Sequence, residues 1–211
     1  MTGTPIVDVL LLGGRSGSGK TTVAHEISAL LQARDVWHCH LEGDNVDAAH
    51  PKAADDPDGR ALTQANVTAL WRNYRAIGHH RLIYVNTAVV LEPDLVLDAL
   101  GGPCRVTVVA FTADNDTVAA RLSQRETGGG MAHHVERSRV MAAVIDRDAV
   151  PETLWVATDR RTVRDVAQEV LDLTGWAAPP RLTLEEQHPC VVVGQARTVP
   201  RRQEHTSPLH P

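Results

Sequence analysis

Apolar residues fall in short dense blocks, and the polar residues between them fall at turns. Ile6 to Leu12 is mostly apolar and ends in Gly13-Gly14, the pattern of a strand buried on both faces. Thr21 to Gln32 carries Val23, Ile27, Leu30 and Leu31 at helical spacing. Val36 to Leu41 predicts a second strand that stops at Glu42-Gly43-Asp44-Asn45. A polar stretch with Pro51, Pro57 and Gly59 separates it from a helix over Thr63 to Gly78. There Val67, Leu70, Trp71, Tyr74 and Ile77 share one face. Arg81 to Val90 reads as a strand, Pro93 to Leu100 as a short helix and Arg105 to Phe111 as the plainest strand. Asp114 to Glu126 and Ala132 to Asp148 predict two helices broken by Thr127-Gly128-Gly129-Gly130. Leu154 to Ala157 is a last strand and Val163 to Leu173 a last helix.

Strands alternating with helices predict an α/β domain over residues 1–176, a parallel sheet with helices on both faces. Residues 177–211 hold six prolines and no helical period, and predict a flexible tail or an edge-strand extension around Cys190. The net charge of −5 and the missing basic stripe argue against nucleic acid as the partner. No stretch reaches membrane length, and Val9 to Leu12 is too short and too acidic in its flank for a signal peptide. Three cysteines with no CxxC pair fit free thiols and a cytoplasmic setting.

One motif changes the picture. Of 21 basic residues, 19 are arginine; Lys20 and Lys52 are the lysines. Lys20 stands in Gly14-Arg15-Ser16-Gly17-Ser18-Gly19-Lys20-Thr21, which fits G-x-x-x-x-G-K-[ST] between a predicted strand and a predicted helix. Glycines permit the backbone angles that aim N–H donors at phosphates, and the helix N-terminus adds its own donors and dipole. A compact ammonium on a flexible stem reaches across β- and γ-phosphates where a planar guanidinium fits poorly. Thr21 supplies a hydroxyl for Mg²⁺, and Thr22 extends the cradle.

Three further features bear on what takes the phosphate. The Arg81 to Val85 strand runs into Asn86-Thr87 without an acid, whereas Asp44 stands at the end of the preceding strand. That is where doubly wound sheets place ligands, so Asp44 is a candidate base or metal orienter. Arg121 and Arg125 lie four apart on one helix face that leads into the glycine run, the pattern of a lid over residues 121–139 that stabilises transferring charge. Arg137 and Arg139 could join from the next helix. Trp71 and Tyr74 read as core, and Arg72 or Arg75 could bind an anionic acceptor. His38 and His40 share one face of a strand, but no third and fourth metal ligand follows at useful spacing.

The segments "GGRSGSGKTT", "LEGDNVD", "DTVAARLSQRETGGG" and "VATDRRTVRDVAQEVL" together resemble the P-loop small-molecule kinases, among them nucleoside monophosphate, adenylylsulfate and gluconate kinases. The resemblance covers about residues 6–176. It implies the P-loop NTPase fold with a five-stranded parallel sheet in the order 2-3-1-4-5. It implies ATP and Mg²⁺ as cofactors, with Thr21 and Asp44 toward the metal, Asp44 toward the acceptor, and Arg160 in the loop near the adenine. The expected activity is ATP-dependent phosphorylation of a small hydroxyl- or phosphate-bearing metabolite, nucleoside, nucleotide or antibiotic. The rival is a regulatory NTPase that hydrolyses ATP and acts on a protein partner. The expected partners are a small-molecule acceptor and, for the oligomer, a second copy in a homodimer.

Overall fold

The computed structural model describes residues 6–125 and 131–176. Thus Thr127 to Gly130 and the 177–211 segment lie outside the described residues. Five parallel strands form one sheet in the order β2-β3-β1-β4-β5, as the resemblance implied. They are β1 (Val7–Gly13), β2 (Cys39–Glu42), β3 (Arg81–Val85), β4 (Cys104–Thr112) and β5 (Leu154–Ala157). The helices are α1 (Lys20–Gln32), α2 (Gly43–Val46), α3 (Arg60–Ala76), α4 (Asp94–Leu100), α5 (Asn115–Arg125), α6 (Met131–Asp148) and α7 (Val163–Thr174).

The central strand shows why the sheet is covered on both sides. All seven residues of β1 are buried. Val7, Val9 and Leu11 face a core with Trp71, Leu82, Tyr84 and Val108. Leu10 and Leu12 face the opposite core, with Ile27, Leu31, Phe111 and Leu171. Alternation along a strand sends neighbouring side chains to opposite faces, so an unbroken apolar run fills both layers. Asp8 is the polar exception. Register places it between Arg81 and Arg105, and its carboxylate lies 3.7 and 3.0 Å from their guanidinium nitrogens.

Several boundaries shift for local reasons. β3 ends at Val85, five residues early, because the Asn86 side chain accepts from Ala88 N at 2.9 Å and turns the chain. Val89 and Val90 are buried all the same, in the loop over β1. A Cβ on Gly13 would lie 2.4 Å from Val90 Cγ1, so the glycine makes room for that loop. α3 begins three residues early, where Asp56 accepts from Ala61 N and Leu62 N. These bonds hold the Asp56 carboxyl below its usual range. Ile77, expected on the apolar face of this helix, is 64% exposed at its C-cap. Trp71 is core, as expected.

Candidate active site

The phosphate loop links β1 to α1 at the carboxyl edge of the sheet. Gly14, Gly17 and Gly19 have φ of 133°, 82° and 96°, which side chains with a Cβ rarely adopt. A Cβ on Gly14 would also meet Phe111 O at 2.7 Å. Gly19 is the N-cap of α1, and Lys20 opens the helix with its side chain buried in the site. Ser18 is fully buried, and its Oγ has no hydrogen-bond partner among the described residues. A buried orphan hydroxyl inside a ring of left-handed glycines fits a loop shaped to wrap an anion.

The loop is braced from behind. Arg121 Nη1 donates to Gly17 O and Ser18 O, each at 3.3 Å, and to Thr158 Oγ1 at 2.9 Å. The Thr158 hydroxyl, buried after β5, reaches Ser18 O at 2.9 Å and Thr112 O at 3.1 Å. Ser138 of α6 donates to Ser16 O at 2.7 Å. Thus β5 and α6, both remote in sequence, fix the loop's carbonyls. Sequence reasoning placed Thr158 only within the loop expected near the adenine and did not single out Ser138, since a lone hydroxyl in a loop or helix carries no signal of its partner.

The predicted residues separate into groups. Thr21 Oγ1 donates to Glu42 Oε2 at 3.4 Å, so the carboxylate beside this threonine is that of Glu42. Asp44, exposed in the first turn of α2, accepts from Asn86 Nδ2 at 3.2 Å. The ends of β2 and β3 therefore bring Asp44 and Asn86 together, and the acid-free end of β3 acquires a role as amide donor. Arg15 turns away from the glycine ring: it donates to Asn115 Oδ1 at 2.7 Å and to Ala113 O at 2.6 Å. Arg125 ends α5, and its side chain lies outside the description. Arg160 is exposed with φ of 54° in the loop after β5, where Asp159 accepts from Asp114 N. Ser16 and Thr22 are exposed at the loop and on α1.

Among the cavities at this edge, one is lined by the loop itself and one by the turn after β3, where Thr87 O accepts from Gly14 N at 3.3 Å. One of about 210 Å³ is lined by Gly17, Gly19, Thr22, Arg121, Thr158 and Arg161, on the β4–β5 side of β1. The other, about 270 Å³, lies on the β3 side and is lined by Asp47, Asp58, Arg60, Thr63, Tyr84 and Asn86. Burial, with Asp47 and Asp44 nearby, pushes the Tyr84 phenol up to about 12. Arg60 pairs with Glu92, and Lys52 with Asp47 at 2.7 Å. Arg75 lies over the Trp71 ring, 6.0 Å from its centroid, rather than in this cavity.

The histidines resolve differently from their spacing. His38 is satisfied by Ser28 Oγ and Val36 O, each at 2.8 Å. His40 instead meets His25 of α1, with ring centroids 5.1 Å apart, and Glu42 of its own strand. Burial holds the His40 imidazole below its ordinary range despite the carboxylate beside it.

A family model described as "AAA domain" matches residues 9–148. No curated protein sequence matches the chain. Among solved structures, a gluconokinase from Sinorhizobium meliloti 1021 aligns at 17% identity over 82% of this chain and 94% of its own, with a TM-score of 0.53. A sugar kinase from Janibacter sp. HTCC2649 aligns at 21% identity, over 83% and 99%, with a TM-score of 0.51. Shikimate kinase from Acinetobacter baumannii, solved in complex with shikimate, aligns at 16% identity, over 80% and 92%, with a TM-score of 0.50. These likenesses carry the fold, and the matched span holds the phosphate loop, the Asp44 turn and α5 and α6. The chain belongs to the AAA-domain family AAA_33 and has the fold of the P-loop small-molecule kinases.

Proposed function

We propose that the chain is an ATP- and Mg²⁺-dependent phosphotransferase whose acceptor is a small molecule bearing a hydroxyl group. The observation that carries this reading is a cavity lined by the phosphate loop itself together with a second one lined by the Asp47 turn and the Asn86–Ala88 turn, whose Thr87 O accepts from Gly14 N. A hydrolase that acts as a switch needs room for one small ligand; a kinase needs room for two, with the phosphates between them.

The orphan Ser18 hydroxyl, the glycine ring and the buried Lys20 fit a triphosphate. Backbone N–H groups of residues 15–20 would hold it, with Lys20 across the β- and γ-phosphates. Thr21, with Glu42 near it, offers oxygen donors that Mg²⁺ takes, and Asp44 is proposed to join them from the end of β2. Mg²⁺, when bound, draws charge from the phosphoryl oxygens. The base occupies the cavity beside Arg121 and Arg161, near Arg160. The place of Arg121 against the loop's carbonyls supports this role better than one at the γ-phosphate. Arg125 remains the proposed partner of the transferring charge.

Asp44 takes the proton from the acceptor hydroxyl, and Asn86 holds its carboxylate in place. The acceptor cavity supplies Asp47, Asp58 and Glu92 against Arg60, so its lining disfavours an anion. A neutral polyhydroxyl compound or an aminated one suits it; a phosphorylated one does not. The Asp44→Asn variant tests this. Acceptor-stimulated ADP release should fall by about 10²–10⁴-fold while MgATP binding persists. Transfer at the wild-type rate would remove Asp44 from the mechanism.

A further inference from the structure

Thr21 and His25 are four apart on α1 and so share a helix face. His40 and Glu42 are two apart on β2 and so share a strand face. The two faces meet. The ligand atoms of His25, His40 and Glu42 all lie within 4.8 Å of one another. His40 Nε2 is 3.2 Å from Glu42 Oε1, and His25 Nε2 is 3.7 Å from the same oxygen.

Two observations separate this cluster from an ordinary ion pair. His40 Nε2 and Glu42 Oε1 are both buried, and neither makes a hydrogen bond among the described residues although they are close. Buried polar atoms left without a hydrogen bond are open to a further ligand. Tetrahedral zinc with bonds near 2.0–2.1 Å holds its ligands about 3.3 Å apart, which the first contact matches and the second nearly does. The cluster also opens on a cavity of about 600 Å³ lined by His25, His40, Glu42, Asn45, Asn66 and Asn73. That leaves room for water or another small ligand at a fourth position.

We propose that His25, His40 and Glu42 form a three-ligand site for a divalent transition metal, zinc by the imidazole–carboxylate donor set. The site is separate from the Mg²⁺ of the phosphate loop, and the Glu42 carboxylate stands between them: Oε1 faces the imidazoles and Oε2 faces Thr21. It stands whether or not the chain transfers phosphate. It joins the edge strand β2 to α1, so metal should stabilise the fold.

The test uses the full chain stripped with a chelator and titrated with Co²⁺ as a spectroscopic probe. The expected result is the strong visible absorption of a four- or five-coordinate Co²⁺, displaced by Zn²⁺. His25 is 66% exposed and its loss leaves the core intact, so His25→Ala is the informative variant. It should weaken Co²⁺ and Zn²⁺ binding at least ten- to a hundredfold. It should also abolish the Zn²⁺-dependent rise in Tm, and leave the rise caused by MgATP in place. A spectrum no different from hexaaquo Co²⁺, or equal affinity in His25→Ala, would overturn the proposal. Loss of the MgATP shift in the wild type would count against the phosphate site instead.

Discussion

Lys20 is the residue on which nucleotide binding turns. It is 9% exposed, at the N-terminus of α1, within a loop whose three glycines hold left-handed φ. Removing the ammonium while keeping the apolar stem leaves the phosphates short of one full charge in a water-poor site. Lys20→Met should weaken MgATP binding by roughly a hundredfold or more, read by calorimetry, with the fold unchanged by circular dichroism. Wild-type affinity in this variant would show that the triphosphate lies elsewhere. The residue was legible because its chemistry is local: eight consecutive positions carry the donors, the turns and the charge. Glu42 was not singled out, because its importance lies in contacts with Thr21 and His25 on another element. His25 was missed for the same reason.

At the scale of elements, the phosphate loop is held by segments distant in sequence. Thr158 connects the end of β5 to Ser18 and Thr112, and Arg121 connects α5 to Gly17 O and the same Ser18 O. Thr158→Val keeps the shape and removes the hydroxyl, leaving buried carbonyl groups with fewer donors. It should cost about 1–3 kcal/mol in urea-unfolding stability, and nucleotide affinity should fall with it. No change in either would mean that the loop holds its own shape. The strands and their parallel type could be read from apolar blocks, since a both-faces-buried strand has a plain pattern, whereas their order in the sheet came from the kinase resemblance. The end of β3 could not be read this way, because Val89 and Val90 are apolar for burial in the core, Val90 against Gly13, and not for pairing. Nor could the short α2, whose four residues are too few for a period.

For the whole molecule, the buried ionisable groups set the response to alkali. Burial pushes the Cys39 thiol up to about 12 and the Tyr84 phenol to about 12. Both groups ionise more easily in the unfolded chain, so their neutral forms favour folding below pH 9. As pH rises above about 9, the unfolded state loses protons that the folded state retains, and stability falls through that range up to about 12. Urea midpoints should hold between pH 8 and about 9 and decline from there to pH 11. Cys39 should resist alkylation at pH 8 until the chain unfolds. A flat profile, or rapid labelling of the native protein at Cys39, would contradict its burial. Among the described residues no helix is long and apolar enough to cross a membrane.

Phosphoryl transfer from the loop to an acceptor in the cavity by the Asn86 turn is the sharpest claim, and phosphorus NMR tests it directly. The chain is incubated with MgATP and a panel of neutral and aminated polyhydroxyl compounds, and the fate of the γ-phosphoryl group is followed. The account predicts a new phosphate-ester resonance, growing with ADP, for at least one compound and dependent on Asp44. ATP consumed to inorganic phosphate alone, at one rate whatever compound is present, would contradict it.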